Sequence, residues 1–132
     1  MPRRTPGTDT RVLRVCRLLN RHRARCLLAG GVAANLHESV RATRDLDILV
    51  PKDRGNTKRV LKALAELPFA VARGLDPEEV FDKPITIVGD DPRVDILTVA
   101  WTVTFERADR SKGVRRIAGV RVPYLGLRDL LR

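Results

Sequence analysis

The sequence predicts an α+β domain of the α/β-like kind, in which a mixed β-sheet is flanked by helices. Helical and strand-like hydrophobic patterns follow one another along the chain. Of its 132 residues, 43% are hydrophobic and 32% are charged, which is a globular balance. A chain of this length buries about two-thirds of its unfolded surface, enough for one sheet with a covering layer of helices. We expect a flexible arm over residues 1–9 and a single domain over residues 10–132.

Helix and strand signals alternate in the first half of that domain. Val12, Val15 and Leu19 recur at helical spacing, opposite a face of arginines, and predict a helix over residues 10–24. Gly30 and Gly31 follow the apolar segment 26–29, and Pro51 follows the apolar segment 46–50. We therefore expect a strand over 26–29, a helix over 32–37, a strand over 46–50 and a helix over 57–67.

Strand signals predominate in the second half. The turn sequence Gly-Asp-Asp-Pro at residues 89–92 separates two β-forming segments and predicts a hairpin of strands over 85–88 and 93–99. A glycine within residues 114–122 leaves open whether that segment is a strand pair or one bent strand. We also expect a strand over 69–72, a loop over 73–84 and a short helix over 125–131.

The apolar runs and the charge narrow the class of protein. No apolar run approaches the ~20 residues that span a bilayer, and no apolar stretch follows the basic opening, so we expect a cytoplasmic protein without membrane contact. The 26 Lys and Arg outnumber the 16 Asp and Glu, giving a formal net charge of +10. This charge favours a polyanionic partner, such as nucleic acid or nucleotide phosphates. The alternative is that GC-rich coding alone inflates the arginine content.

The two cysteines, Cys16 and Cys26, do not indicate a disulfide framework or a zinc site. They are too few for the first and lack the Cys-x-x-Cys spacing of the second. Each lies in an apolar stretch, where a reduced thiol behaves as a small hydrophobic group. We expect both to be buried and reduced.

The first candidate site residues are two carboxylates, Asp45 and Asp47, at alternate positions of a predicted strand. Alternate strand residues share a face, so Leu46, Ile48 and Val50 point into a core while the two carboxylates point away from it. Like charges so close repel each other unless a cation compensates them. A divalent ion held by oxygen ligands removes the repulsion, and Mg²⁺ is the usual ion in phosphate chemistry, with Mn²⁺ as a substitute.

Asp95 is the third candidate carboxylate, because it interrupts an apolar, strongly β-forming run. A charge in such a run is costly unless it is paired or faces a metal or a cleft. If its strand neighbours that of Asp45 and Asp47, the three carboxylates converge. Such a group can hold two Mg²⁺ ions about 3.5–4 Å apart and support phosphoryl transfer. The alternative is that the carboxylates only pair with surface arginines.

Gly30 and Gly31 form a turn between a predicted strand and a predicted helix, ahead of the carboxylate pair. Glycines permit close backbone approach, and the exposed N–H groups at a helix start bind phosphate oxygens. Such a turn is by itself more often plain structure. Its place before Asp-x-Asp makes it a candidate for holding a polyphosphate.

The combination Gly-Gly, Asp-x-Asp and a later strand Asp resembles the signature of nucleotidyltransferases of the DNA polymerase β superfamily. It is most similar to small prokaryotic members related to AbiEii and to minimal nucleotidyltransferase toxin–antitoxin proteins. The resemblance covers about residues 10–131. It implies a polymerase β-type nucleotidyltransferase fold with the carboxylates on adjacent strands. Its motif residues here are Gly30, Gly31, Arg41, Thr43, Asp45, Asp47 and Asp95.

The resemblance also implies a role for each carboxylate. Asp45 and Asp47 would bind both metal ions and the nucleoside triphosphate. Asp95 would complete the second metal site and help to deprotonate the acceptor hydroxyl. The implied cofactor is Mg²⁺ or Mn²⁺.

The resemblance implies that the remaining motif residues bind the nucleotide. Gly30 and Gly31 would contact the β- and γ-phosphates, while Arg41 and Thr43 would brace the loop or touch phosphate. Glu38 departs from the family pattern, since many relatives carry glycine there, and it adds a negative charge near the expected triphosphate.

The sequence therefore suggests an enzyme that moves a nucleoside monophosphate from a triphosphate to a hydroxyl. The acceptor is expected to be an RNA or tRNA 3′ end, a protein side chain or a small molecule, within a toxin–antitoxin system. A partner protein or a homodimer is a further expectation. The alternative is a catalytically silent module with the same fold that binds protein or nucleic acid.

Overall fold

The computed structural model describes residues 10–30, 33, 45–67, 71–89, 93–100, 103–126 and 129. Gly31, Arg41 and Thr43 lie outside these ranges. Of the helix predicted over residues 32–37, the structure describes Ala33, which is helical.

Helices and short strands alternate along the described chain, and this confirms the predicted α+β class. The helices are α1 (Thr10–Arg21), α2 (Arg54–Leu64), α3 (Pro77–Asp82) and α4 (Phe105–Asp109). The strands are β1 (Leu27–Ala29), β2 (Asp45–Leu49), β3 (Ile85–Val88), β4 (Arg93–Leu97), β5 (Val99–Ala100), β6 (Val103–Thr104), β7 (Gly113–Ile117) and β8 (Val120–Tyr124).

Six strands form one mixed sheet in the order β3-β4-β2-β1-β8-β7, and β5 pairs with β6 separately. The pairs β2–β4 and β1–β8 are parallel, while β1–β2, β3–β4 and β7–β8 are antiparallel. The hairpin predicted around residues 89–92 is confirmed, and the segment 114–122 is a strand pair. Strand β2 lies inside the sheet between β1 and β4.

Apolar side chains cover the two faces of the sheet in two separate clusters. The larger cluster joins α1 and α2 to one face and contains Leu46, Ile48 and Val50, as predicted. The smaller cluster joins β5, β6 and α4 to the other face and contains Leu27 and Leu49. Because successive strand residues point to opposite faces, β2 contributes to both clusters.

Helix α1 ends at Arg21 rather than at residue 24, and its end has a recognisable geometry. Arg23 has φ of 56°, in the left-handed region. The Arg23 N–H donates to the Asn20 carbonyl at 3.0 Å, and the Ala24 N–H donates to the Leu19 carbonyl at 2.9 Å. This is a Schellman motif, which usually has glycine at the left-handed position. An arginine there gave no signal in the sequence, so the predicted helix was too long.

The segment predicted as a strand and a loop over residues 69–84 is instead helical in part. A 3₁₀ turn covers Val71–Gly74, and α3 occupies the centre of the predicted loop. Asp76 caps α3, since its carboxylate accepts from the Glu78 N–H at 3.0 Å, and Pro77 begins the helix. These two start signals were visible in the sequence, but the helix is too short to show apolar periodicity.

Both cysteines are buried and unbonded, as expected. Burial raises the pKa of the Cys26 thiol to about 12 and that of Cys16 further still, so both remain protonated at neutral pH.

None of the helices in the described part of the chain combines the length and the apolar character needed to cross a membrane.

Asn56, a buried polar residue, ties the start of β1 to α2. It lies in the first turn of α2, where its backbone N–H donates to the carboxylate of the N-cap residue Asp53 at 3.1 Å. Its side chain accepts from the Arg25 N–H at 2.7 Å and donates to the Arg25 carbonyl at 2.9 Å. These bonds satisfy both backbone groups of the residue that leads into β1.

We expect Asn56→Ala to lower the free energy of unfolding by about 2 kcal/mol, because it leaves both Arg25 backbone groups without their partner. Urea unfolding measures the loss. Asn20→Ala is the matched control, since exposed Asn20 donates one bond, to the Arg121 carbonyl, and its loss is expected to stay below about 1 kcal/mol. Equal losses in the two variants would contradict this role of Asn56.

Candidate active site

The centre of the candidate site is a pair of carboxylates, Asp47 on β2 and Asp95 on β4. The two strands are parallel, and these residues are direct register partners. Their side chains therefore lie on the same face of the sheet, with backbones about 4.8 Å apart at the ordinary strand spacing. Asp95 is buried and Asp47 is half-buried. The structure thus brings together two of the three carboxylates that the sequence singles out.

Asp45 extends this arrangement along β2. It lies two residues before Asp47, at the register position opposite Arg93. The structure describes its backbone, and its side chain lies outside the described part. The predicted convergence of all three carboxylates therefore stays a prediction at Asp45.

Asp95 pairs with an arginine, which the sequence analysis gives as an alternative without naming the partner, Arg93. Arg93 donates from its Nε to Asp95 Oδ1 at 2.9 Å and from one terminal nitrogen to Oδ2 at 3.2 Å. The side chain of Arg93 is 39% exposed, whereas that of Asp95 is 8% exposed. The signal available in the sequence was the spacing of Arg93 and Asp95, because residues two positions apart on a strand share a face. The guanidinium compensates a buried charge that would otherwise be costly.

Gly30 lies against the Asp47 carboxylate at the end of β1. The antiparallel pairing of β1 with β2 places Ala29 opposite Asp47, so the next residue passes beside the carboxylate. A Cβ built on Gly30 would overlap Asp47 Oδ2 and lie 3.1 Å from its Cγ, and Gly30 has φ of +62°. Both the space and the backbone conformation therefore require glycine. The predicted neighbourhood of the glycine turn and the carboxylates is present at Gly30, while Gly31 lies outside the described residues.

The edge strand β3 borders the carboxylate pair with apolar side chains. Ile87 is the register partner of Asp95 on β3 and is 55% exposed. Ile85, two residues earlier, is 45% exposed on the same face. The carboxylates thus lie between the smaller core cluster and an exposed apolar margin.

Asp47 and Asp95 suit a hard divalent cation as two of its ligands. Carboxylate oxygens are the donors that Mg²⁺ and Mn²⁺ prefer, and two like charges in register gain from a shared cation. Among the side chains that the structure describes, no three His, Cys, Asp or Glu residues are grouped to hold a metal, and the side chain of Asp45 is not among them. A cation on Asp95 would compete there with Arg93.

Comparison with solved structures finds a similar fold in TM1012 from Thermotoga maritima, a protein provisionally described as a nucleotidyltransferase. The TM-score is 0.59, over 92% of this chain and 79% of that one, with 14% sequence identity. A likeness at this identity concerns the fold, which is nucleotidyltransferase-like as the sequence predicted. No protein-family model matches the sequence, and no curated protein matches it.

We expect Gly30→Ala to be more destabilising than Gly119→Ala. Both glycines have positive φ, so each substitution costs about 1–2 kcal/mol in backbone strain. Gly119 has open space around its Cα, whereas a methyl group at Gly30 must also displace the Asp47 carboxylate. Chemical denaturation should therefore show an additional loss of about 1 kcal/mol or more in Gly30→Ala. Equal losses would show that the carboxylate does not press on this glycine.

Proposed function

We propose that this protein is a metal-dependent nucleotidyltransferase that moves a nucleoside monophosphate from a nucleoside triphosphate to a hydroxyl acceptor. The observation that supports this most is the register pairing of Asp47 with Asp95 beside Gly30. Two carboxylates held on one face, next to a close backbone approach, provide a place for cations and for an incoming polyphosphate.

In the proposed reaction, the acceptor oxygen forms a bond to the α-phosphorus while the bond from that phosphorus to the bridging oxygen breaks. Pyrophosphate leaves with that electron pair, and the acceptor loses its proton. We assign the uptake of this proton to Asp95, whose pairing with Arg93 would have to give way in the reacting complex. Asp47 and Asp45 are assigned to cation and triphosphate binding, and Gly30 and Gly31 to the β- and γ-phosphates.

Asp45, Asp47 and Asp95 would hold the metal ions. When bound, Mg²⁺ or Mn²⁺ supplies positive charge that offsets the carboxylates and the triphosphate and stabilises the charge developing during phosphoryl transfer. Arg41 and Thr43 are proposed to brace the nucleotide loop or to contact phosphate.

The acceptor is proposed to be a hydroxyl of RNA, including a tRNA 3′ end, or of a protein side chain. A toxin–antitoxin setting in the cytoplasm, with a partner protein or a second copy of the chain, belongs to the same proposal. These finer features rest on the family resemblance of the motif.

The ion pair between Arg93 and Asp95 favours a second candidate function. If that pair is permanent, the carboxylates are structural, and the protein is a silent binding module with a nucleotidyltransferase-like fold. The two candidates differ in whether Asp47 and Asp95 are needed for turnover or only for stability.

We expect transfer of label when the protein is incubated with each α-labelled triphosphate, Mg²⁺ and a total cell lysate. Separating RNA from protein then identifies the acceptor. Asp47→Asn should lower the transfer at least about a hundredfold, because it removes a charge that holds the cation. Asp82→Asn, at an exposed position of α3, is the matched control and should transfer normally. An Asp47→Asn variant with full activity would exclude the carboxylate mechanism.

We also expect Mg²⁺ together with the preferred triphosphate to raise the melting temperature. At a ligand concentration about 100 times the Kd, binding adds about 2.7 kcal/mol, which is a shift of several degrees in a chain of this size. The same triphosphate with a chelator should give a smaller shift, and Asp47→Asn should remove the cation-dependent part. The absence of any shift with all four ribonucleoside triphosphates would favour the silent module.

A further inference from the structure

A second charged feature lies at the opposite end of β1 from Gly30. Here the end of α1, the β7–β8 hairpin and α4 enclose an open groove of about 620 Å³. Among the described residues, six cations line it, against one carboxylate, Asp109. This cationic groove therefore carries a formal +5, half of the protein's net charge. Its cations are Arg17, Arg23, Arg25, Lys112, Arg116 and Arg121.

The carboxylate in the groove does little to offset this charge. Asp109 is engaged by Lys112, whose Nζ lies 2.6 Å from Oδ1. Arg25 lies over the ring of Phe105, with its Cζ 5.0 Å from the ring centroid. Within the part of the chain that the structure describes, no carboxylate is within ion-pair distance of Arg116 or Arg121. Arg116 and Arg121 thus face the groove without a compensating carboxylate among the described residues.

Arg116 and Arg121 are direct register partners in the β7–β8 ladder, and both are exposed. Like charges directly opposite each other destabilise a strand pair. The Asn20 amide, from α1, donates to the Arg121 carbonyl at 3.0 Å and holds this strand against the helix. The repulsion is therefore built into the groove wall, and an anion bound between the two guanidinium groups would relieve it.

The chemistry of the lining favours phosphates over an acidic protein segment. Protein interfaces depend on apolar or aromatic anchors that enter pockets, but Leu27, Phe105 and Val120 in this groove are all buried. The groove presents mainly guanidinium groups to a partner. A guanidinium group is planar and can donate two parallel hydrogen bonds to the oxygens of one phosphate. Among the described residues that line the groove, Phe105 is only 3% exposed and offers no ring face on which a base could stack.

We propose that this cationic groove binds the phosphodiester backbone of a nucleic-acid strand, without reading its sequence. Several arginines along one groove match a ligand that repeats its charge, and the buried ring limits recognition to the backbone. Leu27 lines the groove three residues before Gly30, which is about 10 Å at the rise of a strand. The proposal goes beyond the nucleotidyl transfer, because neither a triphosphate nor a cation takes part in this binding.

The test is a fluorescence-anisotropy titration of labelled single strands of about 16 nucleotides, in RNA and DNA forms of unrelated sequence, with a chelator present. We expect similar affinity across sequences, falling steeply as salt rises from about 50 to 200 mM. Binding of either RNA or DNA supports the proposal, and the ratio of the two affinities identifies which strand is the natural ligand. Because no triphosphate is present, this titration is independent of the transfer assay. A failed transfer assay leaves the groove proposal standing, and a failed titration leaves the proposed transfer standing.

The double variant Arg116→Gln, Arg121→Gln should weaken binding about tenfold and reduce the slope of log affinity against log salt by about 1.4, for two lost phosphate contacts. The pair Lys58→Gln, Arg59→Gln on the exposed side of α2 removes the same charge outside the groove and should change affinity less than about twofold.

At low salt, the groove variant should melt at the same temperature as the unmodified protein or higher, because the repulsion between the two arginines is gone. Arg17→Gln, on the opposite wall, is a second variant and should weaken binding about threefold.

Two results would overturn the proposal. Equal weakening by the groove pair and the α2 pair would mean that only the bulk charge attracts the strand. Binding of polyglutamate as tightly as of RNA and DNA would mean that the groove selects any polyanion rather than a phosphodiester backbone.

Discussion

The candidate site depends above all on the in-register parallel pairing of β2 with β4. The same pairing that puts Asp47 beside Asp95 also puts Leu46 beside Val94, in the larger core cluster. A shift of one residue would turn the apolar side chains out of that cluster and carry a carboxylate into it. The core therefore fixes the register, and the register fixes the two carboxylates on the face that the larger cluster does not cover.

The surroundings of the pair then decide what it can bind. On one side, Gly30 brings the backbone against Asp47, and on the other, Arg93 neutralises Asp95. Arg93 is the more exposed member of its ion pair, so solvent reaches the pair from the side of Arg93. A buried carboxylate whose cationic partner is partly exposed can exchange that partner for another cation more readily than a pair buried on both sides could.

The fold class and the carboxylate face could be predicted because strand periodicity is strict. The period of two placed Ile48 and Asp47 on opposite faces without any tertiary information. Helix boundaries were less predictable, since the end of α1 depends on an arginine, Arg23, in a left-handed conformation. The same period also related Arg93 to Asp95, but whether the two form an ion pair depends on the burial of Asp95, which only the assembled sheet determines.

In the described sheet, one register pair joins two carboxylates and another joins two arginines, and the surroundings of the two pairs differ. Asp47 and Asp95 are register partners at one end of β1, while Arg116 and Arg121 are register partners in the hairpin that borders the other end. The acidic contact has Arg93 within the protein to compensate it. The basic contact has no such carboxylate among the described residues, so solvent, salt or a bound anion offsets its repulsion. The compensated carboxylates thus have a cation inside the protein, whereas the two exposed guanidinium groups are accessible to an anion from outside it, which is the difference that the proposed binding of a phosphodiester backbone depends on.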